Sequence, residues 1–352
     1  MTTTSEQVSE QLKRQVSKRV SQSVFDGSHL RVVLLVDVHD GAQQQFLEAY
    51  EQLGKQVAKV PGHVSDQLCQ SIENPSQWLI TSEWESAPPF LAWVNSEEHV
   101  RMVEPLHSCV RDTRSLRFHI VRETGTGAPA ARRLQVSPRI GDGVIRHALT
   151  FTVKPGSEPE VARILADYAS PEARVDENTR LLRTSLFMHG NRVVRAIEVR
   201  GDLLAALRHV ARQPEVRAVE EAINPYLEQH RDLNDQESAR MFFTRAALPA
   251  VHHVTADEMA EGERHALCYQ ARSGSGMRLA ELLAQGDEAA AENAGSPILR
   301  STIFQRDDVV VRLVDVRAGQ HPDLDPSDAL ADLMTGSAVR MELITDRRSP
   351  AA

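Results

Sequence analysis

Imidazole is the side chain that exchanges a proton most readily near neutral pH. Three of the chain's histidines, His63, His107 and His119, flank a stretch that also carries Trp84, Phe90 and Trp93. An indole offers one N–H donor and a broad apolar wall, so this stretch holds the parts of an aromatic pocket with proton-transfer groups beside it. Trp84 ends a predicted strand, a place that suits a core residue equally well. A second set of groups recurs further on. His147 and His265 share their strand faces with Leu149/Phe151 and Leu267/Tyr269, so both are expected to point into an apolar layer, as a catalytic pair or as hydrogen-bonded core residues. Arg183/Arg300 and Arg195/Arg312 repeat at equivalent places, where they can bind acidic substrate groups or pair across strands with Glu198 or Asp315.

Other chemistries lack their residues. Cys69, Cys109 and Cys268 show no CxxC or CxxH spacing, which argues against a disulfide framework or a zinc site and reads as core packing. His252-His253 has no carboxylate or cysteine at ligand spacing, so no metal is expected. No GxGxxG, P-loop, or flavin or nicotinamide fingerprint is present, and no bound redox cofactor is expected.

The elements that position these residues are announced by an internal repeat. LLRTSLFMHGNRVVRAIEVR at 181–200 returns as ILRSTIFQRDDVVVRLVDVR at 298–317, and Arg146-His147-Ala148-Leu149 returns as Arg264-His265-Ala266-Leu267. In the first copy a β-branched run over 144–153 is followed by a helical pattern from Ser157, two strands around His189-Gly190-Asn191, a second helical region over 203–223, and a last strand over 239–246. The order β-α-β-β-α-β is the ferredoxin-like unit. The second copy repeats it over 264–346, and residues 29–122 spell it once more. The reading is therefore an α+β chain of three tandem ferredoxin-like modules forming dimeric α+β barrels. The modules are 29–122, 144–247 and 264–346, and the linkers are 123–143 and 248–263. In residues 1–28 the spacing of Val8, Leu12, Val16, Val20 and Val24 predicts an amphipathic helix. A four-stranded sheet with helices on one face needs cover on the other. The two mutual repeats are the natural pair within the chain, which leaves 29–122 to pair with a second copy as a homodimer.

The 352 residues suit two or three domains. A net charge of −9 disfavours nucleic acid. No apolar run approaches the roughly 18 residues of a membrane span, and the polar N-terminal residues predict a cytoplasmic location.

Residues 78–99, WLITSEWESAPPFLAWVNSEEH, resemble the signature of the antibiotic-biosynthesis monooxygenase family: a strand ending in Trp, a polar turn, a Phe, and a Trp-x-x-Ser step, here Trp84, Phe90, Trp93 and Ser96. The resemblance spans roughly 29–122. Residues from about 144 to 250, from Arg146 through Asn224-Pro225-Tyr226-Leu227, are similar to the SchA/CurD-like domain found with aromatic polyketide gene clusters. Together these resemblances imply a cofactor-independent oxygenase that turns an anthrone-like ring of an aromatic polyketide into a quinone with dioxygen as co-substrate, or a helper of cyclisation with polyketide cyclase partners. The first resemblance carries over Trp84 as a functional candidate; with the histidines and the repeat read above, Trp84, His107 and His63 are the expected catalytic residues, and Phe90, Trp93, His119, His147, Arg195 and His265 the expected substrate-binding ones. Haem-degrading relatives of that superfamily carry an Asn and a His that fall here at Leu34 and Val103. The family's polyketide oxygenases carry a polar residue and a Tyr that fall at Ile80 and Phe90.

Overall fold

The computed structural model describes residues 20–120, 141–167, 169–229, 231–256, 262–293, 295–322 and 327–349. The chain divides into two units, one formed by Ser23–Arg139 and the other by Met1–Gln22 with Ile140–Ala352. The first described strand, β1 (Val20–Ser23), joins the sheet of the larger unit. The predicted helix over 1–28 is therefore not found at 20–23, and residues 1–19 lie outside the described residues.

The smaller unit runs β2 (Leu30–Val38), α1 (Gln43–Val57), β3 (His63–Gln70), β4 (Gln77–Trp84), α2 (Ala87–Val94), α3 (Glu97–His107) and β5 (Val110–His119). The antiparallel sheet has the order β3-β4-β2-β5. Leu30, Val32, Val36 and Val38 alternate along β2 and are all buried, the two-residue period of a strand with one covered face. Beneath that face Val36, Val38, Phe46, Trp78, Leu106 and Cys109 form the core. Leu35 and Phe118, of the opposite parity, stay 44% and 51% exposed. The helical stretch expected over 88–110 is two helices. It breaks at Asn95, and the Ser96 hydroxyl accepts the His99 N–H at 3.1 Å to cap α3.

The larger unit runs β6 (Val144–Thr152), α4 (Glu158–Ala166), β7 (Arg180–His189), β8 (Arg192–Arg200), α5 (Leu203–Arg212), α6 (Pro214–Ile223), α7 (Gln236–Ala246) and β9 (Ala247–Thr255). It continues through β10 (Glu263–Gln270), α8 (Gly276–Glu292), β11 (Ile298–Arg306), β12 (Val309–Val316), α9 (Asp328–Ala331) and β13 (Val339–Arg348). The strand order is β1-β9-β11-β12-β10-β13-β7-β8-β6, and β6 pairs back to β9. Eight strands, β6 to β13, thus close a barrel, with β1 lying beside β9. The last strand of each repeat pairs with the second strand of the other, β9 with β11 and β13 with β7. Ala148, Phe187, Leu248, Ala266, Phe304 and Leu313, from six of the eight strands, meet in one buried cluster that fills part of the interior.

One boundary differs from the sequence reading. The strand expected over 239–246 is helix α7, and the linker expected over 248–263 contains β9. Met241-Phe242-Phe243 favours a strand locally, but the Asp235 carboxylate accepts the Glu237 N–H at 3.0 Å and starts a helix that buries Phe242 and Ala246 one turn apart. Val251 to Thr255 are all buried, so β9 is covered on both faces and lacks the alternation that marks a half-exposed strand.

Candidate functional site

Register in the smaller unit sets the row that contains the first candidates. His63 pairs with Trp84, Trp84 with Leu30, and Leu30 with His119, so these four side chains lie in one line across the four strands. Trp84 is fully buried. The His63 ring meets it edge-on at 5.2 Å, Phe90 does so at 5.3 Å, and Trp93 stacks on it at 5.5 Å. Such pairs contribute about 0.5–1.5 kcal/mol each beyond the area they bury. The Trp84 indole N–H donates to the Ser82 hydroxyl at 3.0 Å, so it is already used within the protein.

His63 is enclosed rather than on the surface, and its Nε2 lies 3.3 Å from Asp66 Oδ1. A glycine makes this possible. Gly62 has φ +83°, and a Cβ there would sit 2.6 Å from Pro89 Cγ, so the turn before β3 can press against the start of α2 only without a side chain. The Glu85 N–H donates to the Gly62 carbonyl at 2.8 Å and ties the two segments together.

Two groups that sequence reasoning did not assign as donors complete this corner. The Trp93 indole N–H and the Asn95 side-chain amide nitrogen are buried and have no hydrogen-bond partner among the described residues. Such positions are where a ligand oxygen or a water belongs. The Arg117 guanidinium lies 5.4 Å from the Phe90 ring centre. Arg117 shares strand parity with His119, the one sign of it in the sequence.

The other two histidines of this unit stand apart. His119 lies two strands from Trp84, roughly 10 Å at ordinary strand spacing, and its Nδ1 meets the Ser28 hydroxyl at 2.8 Å. His107 ends α3 next to the start of β5, where Val110 pairs with Val38. That is the opposite end of the sheet, about 25 Å along the strands, so the structure does not bring His107 to Trp84.

In the larger unit the expected binding residues lie outside the barrel. His147 and His265 are on the helix-covered faces of β6 and β10, with Leu149 and Phe151 beside the former in the layer under the helices. His265 rests edge-on to His321 at 5.6 Å, and burial followed by the nearby Arg340 lowers its pKa. Arg195 bonds Glu220 at 2.5 Å, and Glu220 also holds the buried Arg231 at 2.8 Å, so Arg195 anchors α6 to the sheet. Its repeat mate Arg312 does the same with Asp287 of α8.

Strand parity instead sends Arg146, Arg183, Arg264, Arg300, Glu198 and Asp315 into the barrel. Arg264 bonds Asp315 and Glu198, each at 2.7 Å, and Arg183 bonds Asp315 at 3.0 Å and Asp346 at 2.6 Å. Three of these four arginine–carboxylate pairs cross between the repeats, and Arg264 with Asp315 lies within the second. Glu198 sits opposite Arg183 in register, yet it binds Arg264. Burial alone would raise the Asp315 carboxyl, but Arg264, Arg183 and Arg300 hold it far below the ordinary range. His253, read from sequence as a linker residue, is buried in β9, with its ring nitrogens 2.8 Å from the Thr302 hydroxyl and 2.9 Å from that of Thr255. Burial and the arginines Arg146, Arg264 and Arg300 push its pKa well below the usual imidazole value.

Among the described residues no cluster of His, Cys, Asp and Glu could hold a metal ion, and no helix is long and apolar enough to cross a membrane. A four-stranded sheet with helices on one face, next in sequence to an eight-stranded barrel built from a repeat, defines an α+β-barrel protein. Residues 30–105 match the family model described as antibiotic biosynthesis monooxygenase, and residues 144–256 match that of the SchA/CurD-like domain. Protein SchA of Streptomyces halstedii is 57% identical to this chain, over 94% of this chain and 96% of its own. Polyketide synthase CurD of Streptomyces cyaneus is 64% identical over 88% and 84%. The 42.8 kDa protein in the whiE locus of Streptomyces coelicolor is 65% identical over 89% and 78%. The chain belongs to this SchA/CurD family. Among solved structures, SnoaB, a cofactor-independent oxygenase from Streptomyces nogalater, aligns at 17% identity over 28% of this chain and 99% of its own, with a TM-score of 0.27.

Proposed function

We propose that this protein acts in bacterial aromatic polyketide biosynthesis as a cofactor-independent monooxygenase that oxidises an anthrone-type ring to a quinone in the smaller unit. The observation that carries the reading is the corner at Trp84, within the segment that matches the monooxygenase model: three aromatic rings, His63 held by Asp66, and the unused Trp93 N–H. His63 takes a proton from the anthrone methylene. The resulting enolate passes one electron to dioxygen, and the two radicals combine to a peroxide. Loss of water leaves the quinone, with one dioxygen consumed and one water formed for each ring. Trp93 N–H and Arg117 are the groups placed to stabilise the enolate and peroxide oxygens, while Trp84 and Phe90 supply the wall.

We read the chain as three tandem ferredoxin-like modules, the first of which forms a homodimer through its uncovered sheet face. The test of the activity is dioxygen uptake by the full chain with a dihydroxyanthrone. Stoichiometric uptake is expected, falling about 10²-fold or more in His63→Ala and roughly tenfold or more in Trp93→Phe. Trp84→Phe is expected to cost less, because its N–H is held by Ser82. A wild-type chain that consumes no dioxygen with the anthrone overturns the reading. The alternative is a non-redox accessory or cyclase-type protein that binds the polyketide, alone or with polyketide cyclase partners. The complete burial of Trp84 and the apolar Ile80 and Phe90 favour that second role.

A further inference from the structure

The two repeats differ where their fourth strands begin. Leu149 of β6 pairs with Ala247 of β9, and the equivalent Leu267 of β10 pairs with Arg340 of β13. An alanine of the first repeat thus corresponds to an arginine in the second. Two residues before each leucine, on the same face of its strand, stands the repeated histidine, His147 or His265. After β8 the helices α5 to α7 precede β9, whereas after β12 the described residues hold only the four-residue α9 before β13. The segment that follows β12 brings in a second histidine, His321.

His321 is exposed, while His265 and Arg340 are half-buried. The His321 ring meets His265 edge-on at 5.6 Å, and its Nδ1 lies 3.4 Å from Arg340 Nη1. Three basic side chains from three separate segments therefore touch one another. Two of their polar atoms, His265 Nε2 and Arg340 Nε, are buried and have no hydrogen-bond partner among the described residues. Unused polar atoms of this kind mark a place for an ion or a water. Burial, Arg340 and His321 lower the pKa of His265, outweighing Glu263 and Asp315, which raise it. Glu342, two residues beyond Arg340 on β13, is exposed. The net field at His265 thus works against its protonation, and a bound anion would reverse that.

We propose that His265, His321 and Arg340 form a binding site for a tetrahedral oxyanion, a phosphate held free or as a monoester. The guanidinium offers a planar fork of donors that matches phosphate oxygens, and each imidazolium donates from its ring nitrogens. Donors arriving from β10, from the segment after β12 and from β13 suit oxygens at tetrahedral corners better than the two oxygens of a planar carboxylate. His321, the exposed member, turns its ring to admit the anion to Arg340 Nε and His265 Nε2, a rotamer change of the kind exposed side chains make freely. The site lies in the larger unit alone and is independent of the oxygenase reading.

The test is equilibrium dialysis of the full chain against radiolabelled sulfate at constant ionic strength, with chloride as the balancing salt. Sulfate keeps its charge between about pH 5 and 8, where imidazoles titrate, so any pH dependence belongs to the protein. Wild type is expected to bind one sulfate per chain, more tightly by roughly tenfold at the acid end of that range, because the anion favours the protonated imidazoles. Arg340→Ala, which copies the alanine of the first repeat, is expected to weaken binding roughly tenfold or more. His321→Ala changes an exposed residue and is expected to fold as wild type, to weaken binding several-fold, and to reduce the pH dependence. Absence of sulfate binding to wild type overturns the site, and so does unchanged affinity in either variant that folds. Displacement of the label by inorganic phosphate but not by phenyl phosphate assigns the free ion, and displacement by both assigns a site open to monoesters. Benzoate that displaces the label as well as phosphate does overturns the tetrahedral assignment.

Discussion

Gly62 shows how one position controls the proposed oxygenase corner. Its positive φ and the 2.6 Å approach to Pro89 leave no room for a methyl group. Gly62→Ala is therefore expected to cost about 1–3 kcal/mol in urea unfolding and to displace His63 from Trp84, read as a change in tryptophan fluorescence. Trp84→Ala, which empties a fully buried site, is expected to cost about 3–5 kcal/mol. At this scale the resemblance to the monooxygenase signature pointed to Trp84, Phe90 and Trp93, and the structure packs all three together. It did not reveal which indole N–H remains unused, because Ser82 lies two residues before Trp84 and competes for that donor only once both side chains turn to the same face. Nor did it separate His63 from His107. Both are isolated histidines in one stretch, and only the register of β2 against β5 puts them at opposite ends of the sheet.

Among the elements, β9 was the hardest to recognise and closes the barrel. The repeat made β6, β7, β8, β10, β11 and β12 readable, since the two copies confirm each other's strand periods. The fourth strands carry no such echo: Ala247–Thr255 and Val339–Arg348 share little sequence, and His253 of the one faces Thr302 where Asp346 of the other faces Ser185. The buried ion pairs of Asp315 on β12 and Glu220 on α6 make the larger unit acid-sensitive. Asp315 and Glu220 have folded pKa values below the ordinary carboxylate range because, against burial, their arginine partners hold the ionised form. Their stabilisation is present above about pH 4 to 5 and is lost as pH falls through that range and below. The unfolding midpoint is thus expected to drop steeply on acidification. Asp315→Asn, which strands buried arginines, is expected to cost about 3–5 kcal/mol at neutral pH and to flatten the acid dependence, as checked by thermal unfolding across pH.

For the whole molecule, the uncovered sheet face of the smaller unit bears on assembly. Leu35 and Phe118 stand exposed on the side away from the helices. A second copy of the same face is the cover we propose, by analogy with the way the two repeats cover one another in the barrel. Sedimentation is expected to show a dimer for wild type and a monomer for a Leu35→Glu/Phe118→Glu double variant; a wild-type monomer defeats the proposal. The strand and helix periods spoke to an α+β protein, but they hold no information about which apolar face meets which, since pairing depends on residues that are neighbours only after folding.

Joining both halves of the barrel in a single polypeptide also has an evolutionary consequence. In a ring assembled from two identical subunits, every mutation appears twice, so a histidine gained at one junction is gained at the other and both lose their acidic partner. A duplicated gene with its copies fused escapes that constraint. One junction retains the salt bridge of Arg183 with Asp346, while its twin carries the hydrogen bond of His253 with Thr302 at the equivalent place.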